Sequence, residues 1–238
     1  MNKNKGTTQL VLLRHGQSIW NRNKTFTGWR DVELSPKGKQ EAEQAGHLLK
    51  AAGHSFDLCF SSELKRSTET LQIVLEAMKL NGLPTQRSWY LNERHYGALE
   101  GLPRWHAVRK FGIWPVLGCQ LSFAASPPPL TPDDPRYPGN QSRYATINKK
   151  DLPVAESMQQ THLRMHAYWQ DVIAPEIRLG KRVLIVSHKN ILRTLMMQLD
   201  NLSHFKVMTL PLATGRPLVY ELDSKLNAVC HYYVDSAE

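Results

Sequence analysis

The sequence predicts an α/β fold of three layers, α/β/α, around a mostly parallel central sheet. Three observations carry this. Strand-like and helix-like segments alternate over residues 9–90, the order expected of a layered α/β domain. Two runs, Val11-Leu12-Leu13 and Val183-Leu184-Ile185-Val186, are continuously apolar, as in strands covered on both faces. Both runs end at a histidine, in Arg14-His15-Gly16 and Ser187-His188. Open α/β sheets place their ligands at the carboxyl ends of strands, so the two histidines point to one composite site.

Residues 9–14 form the first predicted strand. Ser35-Pro36 offers a helix cap followed by proline at the first helical position, and Lys37–Ala51 continues in helical pattern to Gly53. Phe56–Phe60 reads as a short strand entering Ser61-Ser62. Leu64–Lys79 reads as a helix closed near Asn81-Gly82, and residues 85–90 as extended. The middle differs. Pro127-Pro128-Pro129, Pro132, Pro135 and Pro138 make Ser126–Lys150 irregular and too long for an ordinary connector, which predicts a lid or wall over a site. Residues 156–178 then predict one helix, Arg182–Val186 a strand and Asn190–Leu199 a helix. Leu218–Glu221 and Val229–Tyr233 read as late strands. Residues 1–238 are expected to form one domain with an irregular insert at about 113–150.

Composition narrows the classes. The chain is 41% hydrophobic and 21% charged, as in soluble globular proteins. It has no apolar run long enough to span a bilayer. Met1–Gly6 lacks an apolar stretch, so no secretory signal is expected. Cys59, Cys119 and Cys230 form no CxxC pair, and their odd number argues against a disulfide framework. A cytoplasmic location is expected. The net charge of +9 is scattered, and its densest cluster, Arg22, Lys24 and Arg30, surrounds Thr27-Gly28. No nucleic-acid-binding signature accompanies it. The cations suit a small anionic phosphorylated substrate, with neither nucleic acid nor membrane as partner.

A neutral imidazole is nucleophilic, and its ordinary pKa keeps much of it neutral near pH 7. His15 is the candidate to attack phosphorus. Arg14 offers a planar fork of donors for phosphate oxygens, and Gly16 removes a side chain where close approach is needed. Arg66, after Ser61-Ser62, is a second clamp, and His188 a further donor. Glu93, in Asn92-Glu93-Arg94-His95-Tyr96-Gly97, is the candidate acid and base for the substrate oxygen. Tyr96 can donate to a substrate oxygen. Such a site works by positioning and charge stabilisation and requires no metal. The remaining histidines read as surface or satisfied core residues. His162 and His166 share one helix face but lack a third ligand at suggestive spacing.

Longer segments now bear on identity. LLRHGQSIWNRNKTFTGWRDVELSPKGKQEAEQAG, SSELKRSTET, LNERHYGALEGL, DDPRYPG, VSHKNILR and TGRPLVYEL resemble the histidine phosphatase superfamily, and within it the cofactor-dependent phosphoglycerate mutases. The resemblance implies a phosphoglycerate mutase-like fold and one phosphohistidine, His15, primed by 2,3-bisphosphoglycerate. It implies that Arg14, Asn21, Arg66 and His188 hold the phosphoryl group and that Glu93 is the acid/base. Thr27, Gly28, Tyr96 and Asn190 would line the pocket. The implied reaction is interconversion of 3-phosphoglycerate and 2-phosphoglycerate, in glycolysis and gluconeogenesis, by a homodimer or homotetramer.

Four departures from that pattern stand out. Gln17 replaces a usual glutamate. Arg104 replaces a lysine, keeping the charge on the substrate side but changing geometry. Gln120 and Leu121 stand where paired arginines bind the substrate carboxylate, within an apolar stretch, 113–121, whose Pro115 is expected to disturb a helix. Lys189 replaces a glycine beside the second histidine; it is expected to add charge to the substrate site, or to strain the backbone if φ is positive there. The chain also stops at Glu238, and a short tail is expected to admit water to the pocket. A phosphatase acting on small phosphate esters through the same phosphohistidine is therefore the alternative function. A non-catalytic homologue is disfavoured by the complete set Arg14, His15, Arg66, Glu93 and His188.

Overall fold

Alternation of side chains along the first strand decides how the sheet is covered. In a computed structural model describing residues 7–235, β1 (Thr8–Arg14) sends Leu10 and Leu12 to one core and Val11 and Leu13 to the other. Met1–Gly6, read above for a leader, and residues 236–238, on which the short-tail expectation rests, lie outside the described residues.

Serine caps start several helices. Ser18 and Asn21 form a reciprocal capping box on α1 (Ile19–Arg22). Ser35 caps α2 (Pro36–Ala51) by accepting the Gly38 N–H, with Pro36 at the first position. β2 (Leu58–Ser61) leads to α3 (Lys65–Met78), which Lys79 ends in the left-handed region, φ 62°. β3 (Thr85–Arg87) is shorter than the 85–90 expected, because 89–91 turns into a 3-10 segment capped by Ser88. α4 (Arg104–Phe111) and α5 (Ile113–Leu121) follow, joined at Gly112 with φ 82°.

α5 corrects the expectation for 113–121. Pro115 lies in its first turn, where an N–H has no intrahelical acceptor, so proline costs the helix little. Irregular chain then runs over 122–157, broken by 3-10 turns at 138–140, 142–144 and 149–151.

The helix expected over 156–178 is α6 (Met158–Tyr168), a π segment at Trp169–Ile173, and α7 (Ala174–Arg178). Pro175 has no N–H, and the π segment lies directly before it. Proline inside a helix costs about 3 kcal/mol. Burial of Trp169, Ile173 and Ile177, about 1.5–3 kcal/mol each, outweighs that, so the helical run bends instead of ending. β4 (Val183–Ser187), α8 (Lys189–Leu199), α9 (His204–Thr209), β5 (Leu218–Leu222) and β6 (Ala228–Tyr233) complete the order.

The sheet order is β3-β2-β4-β1-β5-β6. β3, β2, β4 and β1 are parallel; β5 is antiparallel to β1, and β6 is antiparallel to β5. α2 and α3 cover the face of Val11, Leu13, Leu184 and Val186; α6, α7 and α8 cover the face of Leu10, Leu12, Val183 and Ile185. β1 and β4 are neighbours in register from Leu10 opposite Val183 to Arg14 opposite Ser187. Both histidines therefore leave the sheet at one edge, and His15 N–H continues the ladder to the Ser187 carbonyl at 3.0 Å.

Candidate active site

The end of β1 delivers His15 into a nearly closed position, 2% exposed. Its Nδ1 lies 2.7 Å from the Gly16 carbonyl, which can only accept, so Nδ1 carries the proton and Nε2 keeps its lone pair. Burial, then Arg66 and Arg14, hold its pKa well below 6.5. His15 is therefore neutral at pH 7.

Gly16 meets protein rather than ligand. A Cβ there would lie 2.1 Å from the Gly38 carbonyl oxygen, and one at Gly38 would lie 2.1 Å from that of Gln17. The catalytic turn and the first turn of α2 cross with no room between them. Gln17 takes part in that crossing. Its N–H donates to Glu41 at 2.8 Å, and its side-chain carbonyl accepts from Ser35 at 3.0 Å.

The cations around His15 are tied to main-chain carbonyls. Arg14 donates to Leu212 at 2.7 Å, while its buried Nε has no partner among the described residues. Arg66, on α3, donates to Gly28 at 2.8 Å and Arg30 at 2.9 Å. Burial lowers its pKa to about 10, which leaves it charged at pH 7. His188 ends β4 with its ring centroid 4.9 Å from that of His15. Its Nε2 lies 2.7 Å from Ser62 Oγ, and its buried Nδ1 has no partner among the described residues. Burial and the neighbouring cations keep it neutral.

Glu93 reaches the same place from the loop after β3. Its Oε1 accepts the Arg94 N–H at 2.8 Å and the Asn190 N–H at 3.2 Å, at the start of α8. Asn190 also donates to the Tyr96 hydroxyl at 3.0 Å, and Tyr96 packs against Phe26. His95 supports the turn beyond, its Nδ1 accepting the Gly97 N–H.

These side chains line a cavity of about 500 Å³. Every predicted site residue except His188 is on its wall: Arg14, His15, Arg66 and Glu93, with Asn21, Thr27, Gly28, Tyr96, Arg104, Lys189 and Asn190. His188 lies just behind His15. Gly28 has φ +51°, and a Cβ there would overlap the Glu100 carboxylate that holds the Trp29 N–H. Arg104, exposed at the start of α4, stands at the mouth. Lys189 is the first residue of α8 and is absent from the positive-φ residues, so the strain expected of it does not arise. Gln120 and Leu121 also line the cavity, from the last turn of α5.

Several contributors escaped the sequence reading. Ser62, which orients His188, lies in the quoted SSELKRSTET segment but carried no assigned role. Arg94, 1% exposed, stacks 4.8 Å from the Tyr96 ring centroid and donates to the Cys119 carbonyl. Arg193 lines the cavity and donates to Leu210. Arg164 is paired with Glu156 at 2.7 Å, and together they clamp the loop bearing Glu93. Arg164 donates to the carbonyls of Trp89, Tyr90, Asn92 and Glu93, and Glu156 accepts the His95 N–H. No local pattern announces that clamp, because its partners are distant in sequence. The His162 and His166 rings lie 5.7 Å apart, with His166 bonded to Gln198. Among the described residues no group of three side chains could hold a metal ion.

Comparison with known proteins identifies relatives by sequence and by fold. A family model described as histidine phosphatase superfamily (branch 1) matches residues 10–232. A Nitrosomonas europaea protein named 2,3-bisphosphoglycerate-dependent phosphoglycerate mutase 1 is 58% identical, over 98% of this chain and 100% of its own. A Hamiltonella defensa 2,3-bisphosphoglycerate-dependent phosphoglycerate mutase is 48% identical, over 97% of this chain and 92% of its own. Among solved structures, a mycobacterial glucosyl-3-phosphoglycerate phosphatase superposes with a TM-score of 0.70 at 20% identity, covering 95% of this chain and 97% of that one. At that identity the likeness is one of fold.

Proposed function

The chain belongs to the histidine phosphatase superfamily (branch 1), with phosphoglycerate mutases among its relatives, and from that membership we propose that it interconverts 3-phosphoglycerate and 2-phosphoglycerate through a phosphohistidine at His15. One observation carries this reading. A neutral His15 with a free Nε2 faces a cation-lined cavity that also holds a carboxylate, Glu93. The cavity fits 2,3-bisphosphoglycerate: about 500 Å³ accommodates a three-carbon acid with two phosphates, and Arg14 Nε is a buried donor without a partner among the described residues. When bound, that cofactor supplies the phosphoryl group that primes His15.

Each residue then has one task. His15 Nε2 attacks phosphorus in line. Arg14 and Arg66, pre-oriented by carbonyls, neutralise charge on the transferring oxygens without reorganising. With Ser62 donating to Nε2, the neutral His188 ring bears its proton on Nδ1, available to a phosphoryl oxygen. Glu93 gives a proton to the departing substrate oxygen and takes one from the hydroxyl that receives the phosphoryl group next. Asn21, Thr27, Gly28, Tyr96, Arg104, Lys189 and Asn190 hold the rest of the substrate. Of residues 113–150 only α5 lines the cavity, through Cys119, Gln120 and Leu121, while Leu130, Tyr137 and Tyr144 of the expected lid pack instead around Trp29. The reading carries a homodimer or homotetramer, as membership implies, and a cytoplasmic location, which the unpaired Cys59, Cys119 and Cys230 suit.

The neutral rim at Gln120 and Leu121 favours a second reading, a phosphatase for small phosphate esters. Phosphorus NMR on 3-phosphoglycerate, with and without trace 2,3-bisphosphoglycerate, separates the two. The mutase gives cofactor-stimulated 2-phosphoglycerate. Inorganic phosphate alone replaces it with the phosphatase, and no turnover overturns both.

A further inference from the structure

The cations of the cavity differ in what already holds them. Arg14 and Arg66 are bound to carbonyls beside His15 and belong to the phosphoryl group. Arg94 and Arg193 are engaged by the carbonyls of Cys119 and Leu210. Lys189 is different. Its ammonium, like the side chains of Lys24 and Arg104, makes no hydrogen bond or ion pair with a described residue, but those two are exposed while Lys189 is half-buried in the cavity wall. Arg193, Arg14 and Arg104 repel it, only Glu93 among its charged neighbours attracts it, and with burial they bring its pKa down to about 8. A bound anion is the partner this amine lacks.

The α5 wall offers such an anion no charge. Cys119, Gln120 and Leu121 of α5 carry no charge. We propose that Lys189 is a specificity-determining residue that binds the carboxylate of the substrate, selecting phosphorylated acids over phosphorylated alcohols. This rests on the phosphoryl-transfer reading above. A lysine suits the task physically. Its ammonium is a point charge on a flexible stem, not a fixed fork. The carboxylate lies at different distances from the reacting phosphate in 3-phosphoglycerate and 2-phosphoglycerate, and one mobile cation can follow it.

The test is calorimetric binding of 3-phosphoglycerate and of glycerol 3-phosphate, which lacks the carboxylate, to wild type, Lys189→Gln and Lys189→Arg. Circular dichroism checks that the variants fold. Lys189→Gln weakens 3-phosphoglycerate by about tenfold, the scale of one charge-assisted hydrogen bond, and glycerol 3-phosphate by less than about twofold. Lys189→Arg retains 3-phosphoglycerate binding within about threefold. Equal weakening of both ligands, or of neither, overturns the proposal. A wild type that binds 3-phosphoglycerate with this Lys189 dependence but never turns it over defeats the mutase reading and leaves Lys189 in place. Normal turnover with no Lys189 dependence does the reverse.

Discussion

The floor of the cavity and its α5 rim are built by opposite rules. On the floor, the side chains of Arg14, Arg66 and Glu93 are tied to main-chain groups, and those of His15 and His188 are almost completely buried. On the rim, Trp114 is 80% exposed and Leu121 67% exposed, and the last turn presents no charge to the cavity. Phosphoryl transfer needs groups already aimed when charge develops, so its residues are overdetermined by packing. Recognition of the far end of a substrate tolerates change, because residues on an exposed helix have few partners to lose.

The contrast is broken most severely at the nucleophile. His15→Ala removes the atom we propose as the acceptor of phosphorus, and loss of more than about 10³-fold in mutase and phosphatase rates is expected. Labelling from bisphosphate must vanish with it, and a retained acid-labile label would place the nucleophile elsewhere. Next comes the clamp under the floor. Glu156→Gln leaves Arg164 charged and buried without its carboxylate, which costs about 3–5 kcal/mol of stability. A urea unfolding midpoint that barely moves would show that the pair does not hold the Glu93 loop.

The rim is probed by addition. Gln120→Arg with Leu121→Arg gives the wall two charged donors worth about 1.5–3 kcal/mol each. The KM for 3-phosphoglycerate is expected to fall by about tenfold or more, with little change in the rate of His15 phosphorylation at saturation. An unchanged KM would mean that these positions do not touch substrate. The smallest effect is one of pH. Lys189 is charged below about 8 and neutral above it, so kcat/KM for 3-phosphoglycerate declines as pH rises through that value. Arg193, Arg14, Arg104 and Glu93 are the charged groups that face the amine. His15, already neutral, contributes no limb there. A profile that Lys189→Arg leaves unaltered would assign the decline to another group.

Legibility in the sequence follows the same division. β1, α2, β2, α3, β4 and α8 were readable because their signals are local: apolar runs, Ser-Pro caps and terminal glycines. The places of His15, Arg66 and His188 on one cavity were legible because each follows a strand at its edge, and that of Glu93 because it sits in the polar Asn92–Gly97 segment. α5 was misread, since the helix-breaking reputation of proline holds for interiors and Pro115 is in the first turn. α1, α4 and α9 escaped notice because each is only eight residues or fewer. Gly16 was expected where an oxygen or backbone approaches closely, and the three-dimensional crossing shows that the neighbour is the backbone of Gly38. The Arg164–Glu156 clamp was invisible because carbonyl acceptors have no sequence signature.

The adjacency of β1 and β4 also governs the order in which the protein can become active. β1 is among the first elements made, and β4 follows most of the chain. A nascent chain can fold α2 and α3 together early, since those contacts are close in sequence. Its His15 nevertheless waits, lacking the Ser187 carbonyl that extends the ladder and the His188 ring beside it, until β4 inserts between β1 and β2. Closing that long loop is entropically slow. A chain without β4 therefore lacks half of the cavity floor, and the site is complete only once β4 is in the sheet.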